Sequence, residues 1–129
     1  MELPRRNSRD PGTDTRIRRL LGVLARRSIH QFLCLRMSNI RYLTGFRGSD
    51  AALLVSPDGV VFVTDGRYAE QSRQEVRGAE IVISDRKWSV VSRRIRTSTR
   101  RFGRRGRARV GFESRYLPVE LYRYLTKGN

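Results

Sequence analysis

Cysteine and histidine are almost missing from this chain. Among its 129 residues Cys34 is the single cysteine and His30 the single histidine. One cysteine excludes an internal disulfide and gives no sign of an oxidising compartment. Cys34 stands in the apolar run Phe32, Leu33, Cys34, Leu35, where a thiol is expected to be buried and inert rather than nucleophilic. A lone histidine leaves no metal site built from several imidazoles. Long apolar runs are missing too. None approaches the roughly 20 residues a membrane helix needs, and the N-terminus lacks the apolar core of a signal peptide. A cytoplasmic protein with no membrane partner is the expectation. Lysine is scarce as well: Lys87 and Lys127 are the only two, so the net charge of +16 comes almost wholly from arginine.

What is present fits one domain with a core of useful size, although 38% hydrophobic and 31% charged residues make it a polar one. Clustered arginine can neutralise phosphates, which brings nucleic acid or an acidic partner into view. The plainer alternative is arginine placed wherever a long polar side chain is allowed, which needs no ligand.

Residues 1–13 mix Arg5, Arg6 and Arg9 with Pro4, Pro11 and Gly12 and read as a disordered basic arm. Thr13 or Asp14 can cap the helix that follows, in which Ile17, Leu20, Leu21 and Leu24 form one apolar stripe. Phe32 to Leu35 reads as a strand buried on both faces. Ala51 to Val55 and Val60 to Thr64 flank Ser56-Pro57-Asp58-Gly59, a turn in which Pro presets its dihedral and Gly accepts positive φ, so the pair forms a hairpin. A helix over Ala69 to Val76, a strand over Glu80 to Ile83 and a helix from Trp88 to about Arg96 follow. From Arg93 to Arg109 nine arginines interleave with glycine, serine and threonine, and a basic loop is expected over about 97–109. Arg109 to Glu113 restores a strand pattern, and Pro118 suits the first turn of a last helix. The alternation of helices and strands is α/β, and the hairpin makes the sheet mixed.

Ser38 to Ser49 holds the densest set of local signals. Ser38 suits the N-cap of a short helix over Asn39 to Leu43, and Gly45 suits the left-handed residue that ends it. Phe46 and Arg47, between Gly45 and Gly48, read as presented for contact with a ligand or partner. The alternative is that Phe46 tucks into the core. For Asp65, Arg67 and Tyr68 a structural role is expected, with Asp65 capping a helix and Arg67 pairing with it or with Glu70.

Asn39-Ile40-Arg41-Tyr42-Leu43-Thr44-Gly45-Phe46-Arg47-Gly48-Ser49 resembles the N-x-x-Y-L-T-G-F-x-G-S segment of creatinase/prolidase N-terminal domains, which precede the catalytic part of Xaa-Pro aminopeptidases and dipeptidases. Ala51 to Thr64 is similar to the hairpin of that family, Asp65-Gly66-Arg67-Tyr68 with Glu70-Gln71 to its D-G-R-Y-x-E-Q step, and Val110-Gly111-Phe112-Glu113 to its V-G-F-E strand. The resemblance covers about residues 14–125. It implies a mixed β-sheet flanked by helices, of ribonuclease H-like type, incomplete at its C-terminal end. It also implies that chemistry belongs to a following domain in which two Asp, one His and two Glu hold two divalent metals such as Mn; this chain contains no such set and is expected to have no cofactor or catalytic residue. The implied role is non-catalytic: subunit association and the rim of a substrate site, with Tyr42, Phe46 and Arg47 as contact residues. Asn39, Gly45, Gly48, Ser49, Asp65, Gly66, Arg67 and Tyr68 are then the structural motif. Expected partners are a second copy of the chain or a separately encoded catalytic domain. The alternatives are a basic nucleic-acid-binding protein on the same scaffold and a non-functional truncated remnant.

Overall fold

The structure is a computed structural model that describes residues 11–102 and 109–127. In chain order its elements are α1 (Pro11–Arg26), β1 (Gln31–Cys34), α2 (Met37–Thr44), β2 (Ala52–Ser56), β3 (Gly59–Thr64), a single 3-10 turn (Gly66–Tyr68), α3 (Ala69–Glu75), β4 (Glu80–Ile83), α4 (Lys87–Phe102), β5 (Val110–Phe112) and α5 (Val119–Thr126). The five strands form one sheet in the order β4-β3-β2-β1-β5. β2 is antiparallel to both β1 and β3, whereas β4 runs parallel to β3 and β5 parallel to β1. The mixed sheet expected from the sequence is therefore present.

The pairing register sorts side chains by the two-residue period of a strand. Leu53 and Val55 lie opposite Phe62 and Val60, and with Cys34 they face a core closed by Ile17 of α1, Ile40 and Leu43 of α2, Phe46 and Val76. Ala52 and Leu54 lie opposite Val63 and Val61 and, with Leu33, face Val91, Trp88 and Ile95 of α4 and Leu125 of α5. The result is three layers: α1, α2 and α3 on one face of the sheet, α4 and α5 on the other. The Ile17, Leu20, Leu21, Leu24 stripe turns inward as its spacing requires, with Ile17 and Leu24 buried.

Several boundaries differ from the sequence reading. α1 begins at Pro11, so residues 11–13 are helical rather than part of an arm, and residues 1–10 lie outside the described residues. Proline suits the first helical position because its missing N–H has no intrahelical acceptor there, and Asp14 then falls in the first turn, where a carboxylate complements the helix dipole. α4 runs on to Phe102, so residues 97–102 are helix instead of loop; residues 103–108 of the expected basic loop lie outside the described residues.

Ser38 does not cap α2. The helix starts two residues earlier than expected, at Met37, with Arg36 in the cap position and no side-chain cap bond. The chain leading into it is held by a residue far along the sequence. The carboxylate of Glu113, just past β5, accepts the N–H of Leu35 at 2.5 Å, the N–H of Arg36 at 3.0 Å and Asn39 Nδ2 at 2.6 Å. It also lies 3.6 Å from the Cys34 sulfur, and burial together with that carboxylate pushes the Cys34 thiol well above its usual range. The cysteine is buried, as its apolar run indicates. One acid thus ties the end of β1 to the start of α2. Glu113→Ala is expected to destabilise the domain by about 2–4 kcal/mol through the loss of charge-assisted bonds to part-buried donors, and Glu113→Gln by less. Urea denaturation of the three proteins measures this.

Candidate functional site

The segment from Gly45 to Asp50 links α2 to the central strand and is held at nearly every residue. Gly45 adopts φ 89°, the left-handed position that ends α2, and its N–H donates to Arg41 O at 2.8 Å. A Cβ there would stand 2.9 Å from the carbonyl oxygen of Glu75. Thr44 Oγ1 donates to Ile40 O at 2.7 Å and accepts the Phe46 N–H at 3.2 Å, while Thr44 O accepts the N–H of Arg77 at 2.9 Å. The Arg47 N–H is taken by Glu75 Oε1 at 2.9 Å.

Phe46 is not presented. It is fully buried, edge-on to Phe62 at 4.8 Å and to Tyr68 at 5.5 Å between ring centroids. The core alternative for this residue is the one realised, because burying a phenyl ring outweighs any gain from leaving it in water. Its position explains Gly48: a Cβ on Gly48 would fall 2.2 Å from Phe46 Cζ. The loop closes over the ring, and only glycine lets it. Ser49 is hydrogen-bonded to the Tyr68 hydroxyl. Of the three residues expected at a contact surface, Tyr42 and Arg47 are exposed, Tyr42 at 52%. Tyr42 is engaged from α1, whose Arg16 lies 4.3 Å over its ring and donates to its carbonyl oxygen at 2.9 Å.

Asp50 is the residue that sequence reasoning missed. One carboxylate oxygen binds Lys87 Nζ, and the other lies 3.2 Å from Arg67 Nη2. Its carbonyl accepts Thr64 Oγ1 at 2.7 Å. Lys87 opens α4, has a side chain only 14% exposed, and lies 4.6 Å from the centroid of the Trp88 ring. Asp65 caps the 3-10 turn as expected, accepting Arg67 N at 3.0 Å, Arg67 Nε at 2.9 Å and Arg67 Nη2 at 2.8 Å. Arg67 therefore bridges Asp65 and Asp50 rather than pairing with Glu70, which faces Arg73 instead. The hydrogen bond from Arg67 holds the Asp65 carboxyl down at about 2. One signal for Asp50 and Lys87 was available: Lys87 is one of two lysines in an arginine-rich chain, and a compact ammonium suits this enclosed point contact where a broad guanidinium does not.

Beside this network a groove of about 640 Å³ runs between the Ser49–Ala51 segment, Lys87 and Trp88 of α4, and Tyr116, Pro118, Leu121 and Tyr124 around α5. It lies where β1 finishes and β2 begins, and Ser49 and Asp50 of the anchored loop form one of its walls. Among the described residues no group of three or more His, Cys, Asp or Glu side chains is arranged to hold a metal.

Two outcomes follow from this geometry. Gly48→Ala is expected to cost about 2 kcal/mol or more, because the buried Phe46 ring has no space to yield; thermal or urea unfolding reads the loss. For Asp65 the folded pKa lies below the ordinary 3.8, so its contribution to stability is present above about pH 4 and is lost as pH falls towards 2. Urea midpoints measured from pH 2 to 5 are expected to fall less steeply in Asp65→Asn than in the parent chain.

Comparison with known proteins agrees with this fold and loop. The family model described as the creatinase/prolidase N-terminal domain matches residues 16–129. The chain is 40% identical over 67 residues to the uncharacterized peptidase YqhT of Bacillus subtilis, an alignment covering 52% of this chain and 18% of that protein. The N-terminal domain of the cytoplasmic peptidase PepQ from Mycobacterium tuberculosis H37Rv superposes with a TM-score of 0.72 at 30% identity, covering 86% of this chain and 82% of that one. The Xaa-Pro dipeptidase from Bacillus anthracis gives a TM-score of 0.73 at 25% identity, over 85% of this chain but only 29% of the dipeptidase. With the family model spanning most of its length, the chain belongs to the creatinase/prolidase N-terminal domain family.

Proposed function

We propose that this chain serves as the non-catalytic N-terminal domain of a Xaa-Pro aminopeptidase or prolidase-like metallopeptidase, associating with other subunits and forming part of the rim of the substrate site. The reading rests on the loop from Gly45 to Asp50, whose backbone is fixed by Thr44, Glu75 and the buried Phe46 ring while Arg47 remains exposed at its surface. A fixed loop can hold a guanidinium in place, and a guanidinium recognises a peptide carboxylate through two parallel hydrogen bonds. Phe46 enters this role from beneath, as the support of the loop. Tyr42, exposed on α2 and backed by Arg16, supplies an apolar surface for a subunit or a substrate side chain. The chain spans 29% of the length of the Bacillus anthracis Xaa-Pro dipeptidase that it matches, and on this reading the chemistry belongs to the remainder.

The domain alone is expected to release no residue from an Xaa-Pro peptide in the presence of Mn²⁺, Co²⁺ or Zn²⁺; robust metal-dependent release by the purified chain refutes the reading. When the domain is joined to a catalytic domain of the family, Arg47→Ala is expected to raise KM for an Xaa-Pro dipeptide by about tenfold, the loss of a charge-assisted contact, with a smaller change in kcat. An unchanged KM removes Arg47 from the rim.

A further inference from the structure

One end of the sheet carries carboxylates alongside Arg36, Arg67, Arg86, Lys87 and Arg115. Asp50 precedes β2, Asp65 follows β3, Asp85 follows β4 and Glu113 follows β5, and Glu120 opens α5 beside the same groove. These five carboxylates gather at one end of the sheet. The opposite end is where α1 finishes and β1 and β5 begin, and it is built from arginine.

The contacts there are continuous. Arg109 Nη1 donates to the carbonyl oxygen of Arg27 at 3.3 Å, and the Arg109 N–H meets His30 Nδ1 at 3.4 Å. Next to them Gln31 Nε2 reaches across to α4, donating to Ile95 O at 3.2 Å and Thr99 Oγ1 at 3.4 Å. On the following residue, Arg96 Nη2 donates to Lys127 O at 3.2 Å and joins α4 to the end of α5. Arg26, Arg27, Arg96, Arg109, Arg123 and Lys127 are all exposed along this path. None of the six is in an ion pair among the described residues, where the side chains of Arg96 and Arg109 donate to neutral carbonyls. Two carboxylates share this end: Asp58 in the turn between β2 and β3, and Glu80 at the start of the edge strand β4, paired with Arg94 at 2.7 Å.

We propose that this arginine-bearing end binds the phosphate backbone of duplex nucleic acid. The inference stands apart from the peptidase reading and uses a different surface. Guanidinium groups match phosphate oxygens two at a time, a fit that lysine lacks. The surface is long enough to follow several phosphates because it crosses from α1 through β5 and α4 to α5. Phe102 is the single aromatic residue between Arg93 and Arg109, so that stretch offers little for base stacking; the exposed rings near this end, Tyr122 and Tyr124, stand on α5. Recognition is of the backbone and independent of sequence.

The experiment is fluorescence anisotropy of a labelled duplex DNA of about one to two helical turns, titrated with the 129-residue chain at several salt concentrations. If about four phosphates are neutralised, the logarithm of the binding constant falls with the logarithm of salt with a slope of about −3.6, roughly a hundredfold between 50 and 200 mM. Arg96→Glu with Arg123→Glu is expected to weaken binding by at least about tenfold and to flatten the slope by about two. Arg86→Glu with Arg115→Glu, the same change of charge at the other end of the sheet, is expected to have less than about a third of that effect. Arg27→Glu with Arg123→Glu provides a second test should loss of the Arg96 contact disturb packing, which circular dichroism reports. Absence of binding at 50 mM salt overturns the proposal. Equal losses at the two ends also overturn it, since net charge alone is then responsible. Tighter binding to phosphatidylserine vesicles than to DNA at equal charge assigns the surface to a membrane and overturns it as well.

Discussion

β2 is buried at every one of its five residues, Ala52 to Ser56, and this requirement governs the architecture. A strand with apolar side chains on both faces is stable only when both faces are covered. The chain meets that need with α1, α2 and α3 on one side and α4 and α5 on the other. With the two faces of the sheet covered, its polar groups stand at the ends of the strands and on the outer sides of the helices. The loop of the proposed rim sits at one end and the arginine surface at the other. Both follow from a sheet whose sides are closed.

Carboxylates are scarce beside the basic residues, 12 against 28, and several of them act as long-range caps. Glu113 satisfies backbone N–H groups 77 and 78 residues away in sequence. Glu75 accepts the N–H of Arg47 and the side chain of Gln71. Asp50 joins β2 to α4 through Lys87 and to the turn after β3 through Arg67. Exposed ion pairs contribute little by themselves. These acids matter because they bind donors that the fold would otherwise leave without partners. Committing acids to such positions leaves many arginines with no opposite charge beside them.

The loop and the core beneath it form one unit. Phe46 fills the space between Phe62 and Tyr68, Gly48 passes over it without a side chain, and Gly45 makes the turn that brings it there. Rigidity of this kind suits a loop that must hold a side chain at a fixed position near a substrate, because less freedom remains to be lost on binding. It also assigns separate tasks to neighbouring residues that look equivalent in sequence: the aromatic residue supports and the arginine faces out.

The sequence by itself determined the α/β alternation, the hairpin and its turn, the apolar stripe of α1, the left-handed Gly45 and the capping role of Asp65. Each of these depends on residues within a few positions of one another, where periodicity and backbone preference act directly. The family, too, was legible, since the spacing of its short motifs is a property of the chain. Only the tertiary structure decided the start of α2, the burial of Phe46 and the partners of Arg67. The start of α2 is set where the Glu113 carboxylate, brought in by β5, bonds the two backbone N–H groups that lead into the helix, Leu35 and Arg36. Phe46 went inward because Phe62 and Tyr68 were there to receive it, and Arg67 turned to Asp50 because β2 and β3 place the two side by side. The extension of α4 to Phe102 belongs to the same group: Gln31, 68 residues earlier in sequence, bonds Thr99, inside the stretch that local composition reads as loop. Contacts between residues distant in sequence overrode local preference at each of these places, and local composition carries no record of them.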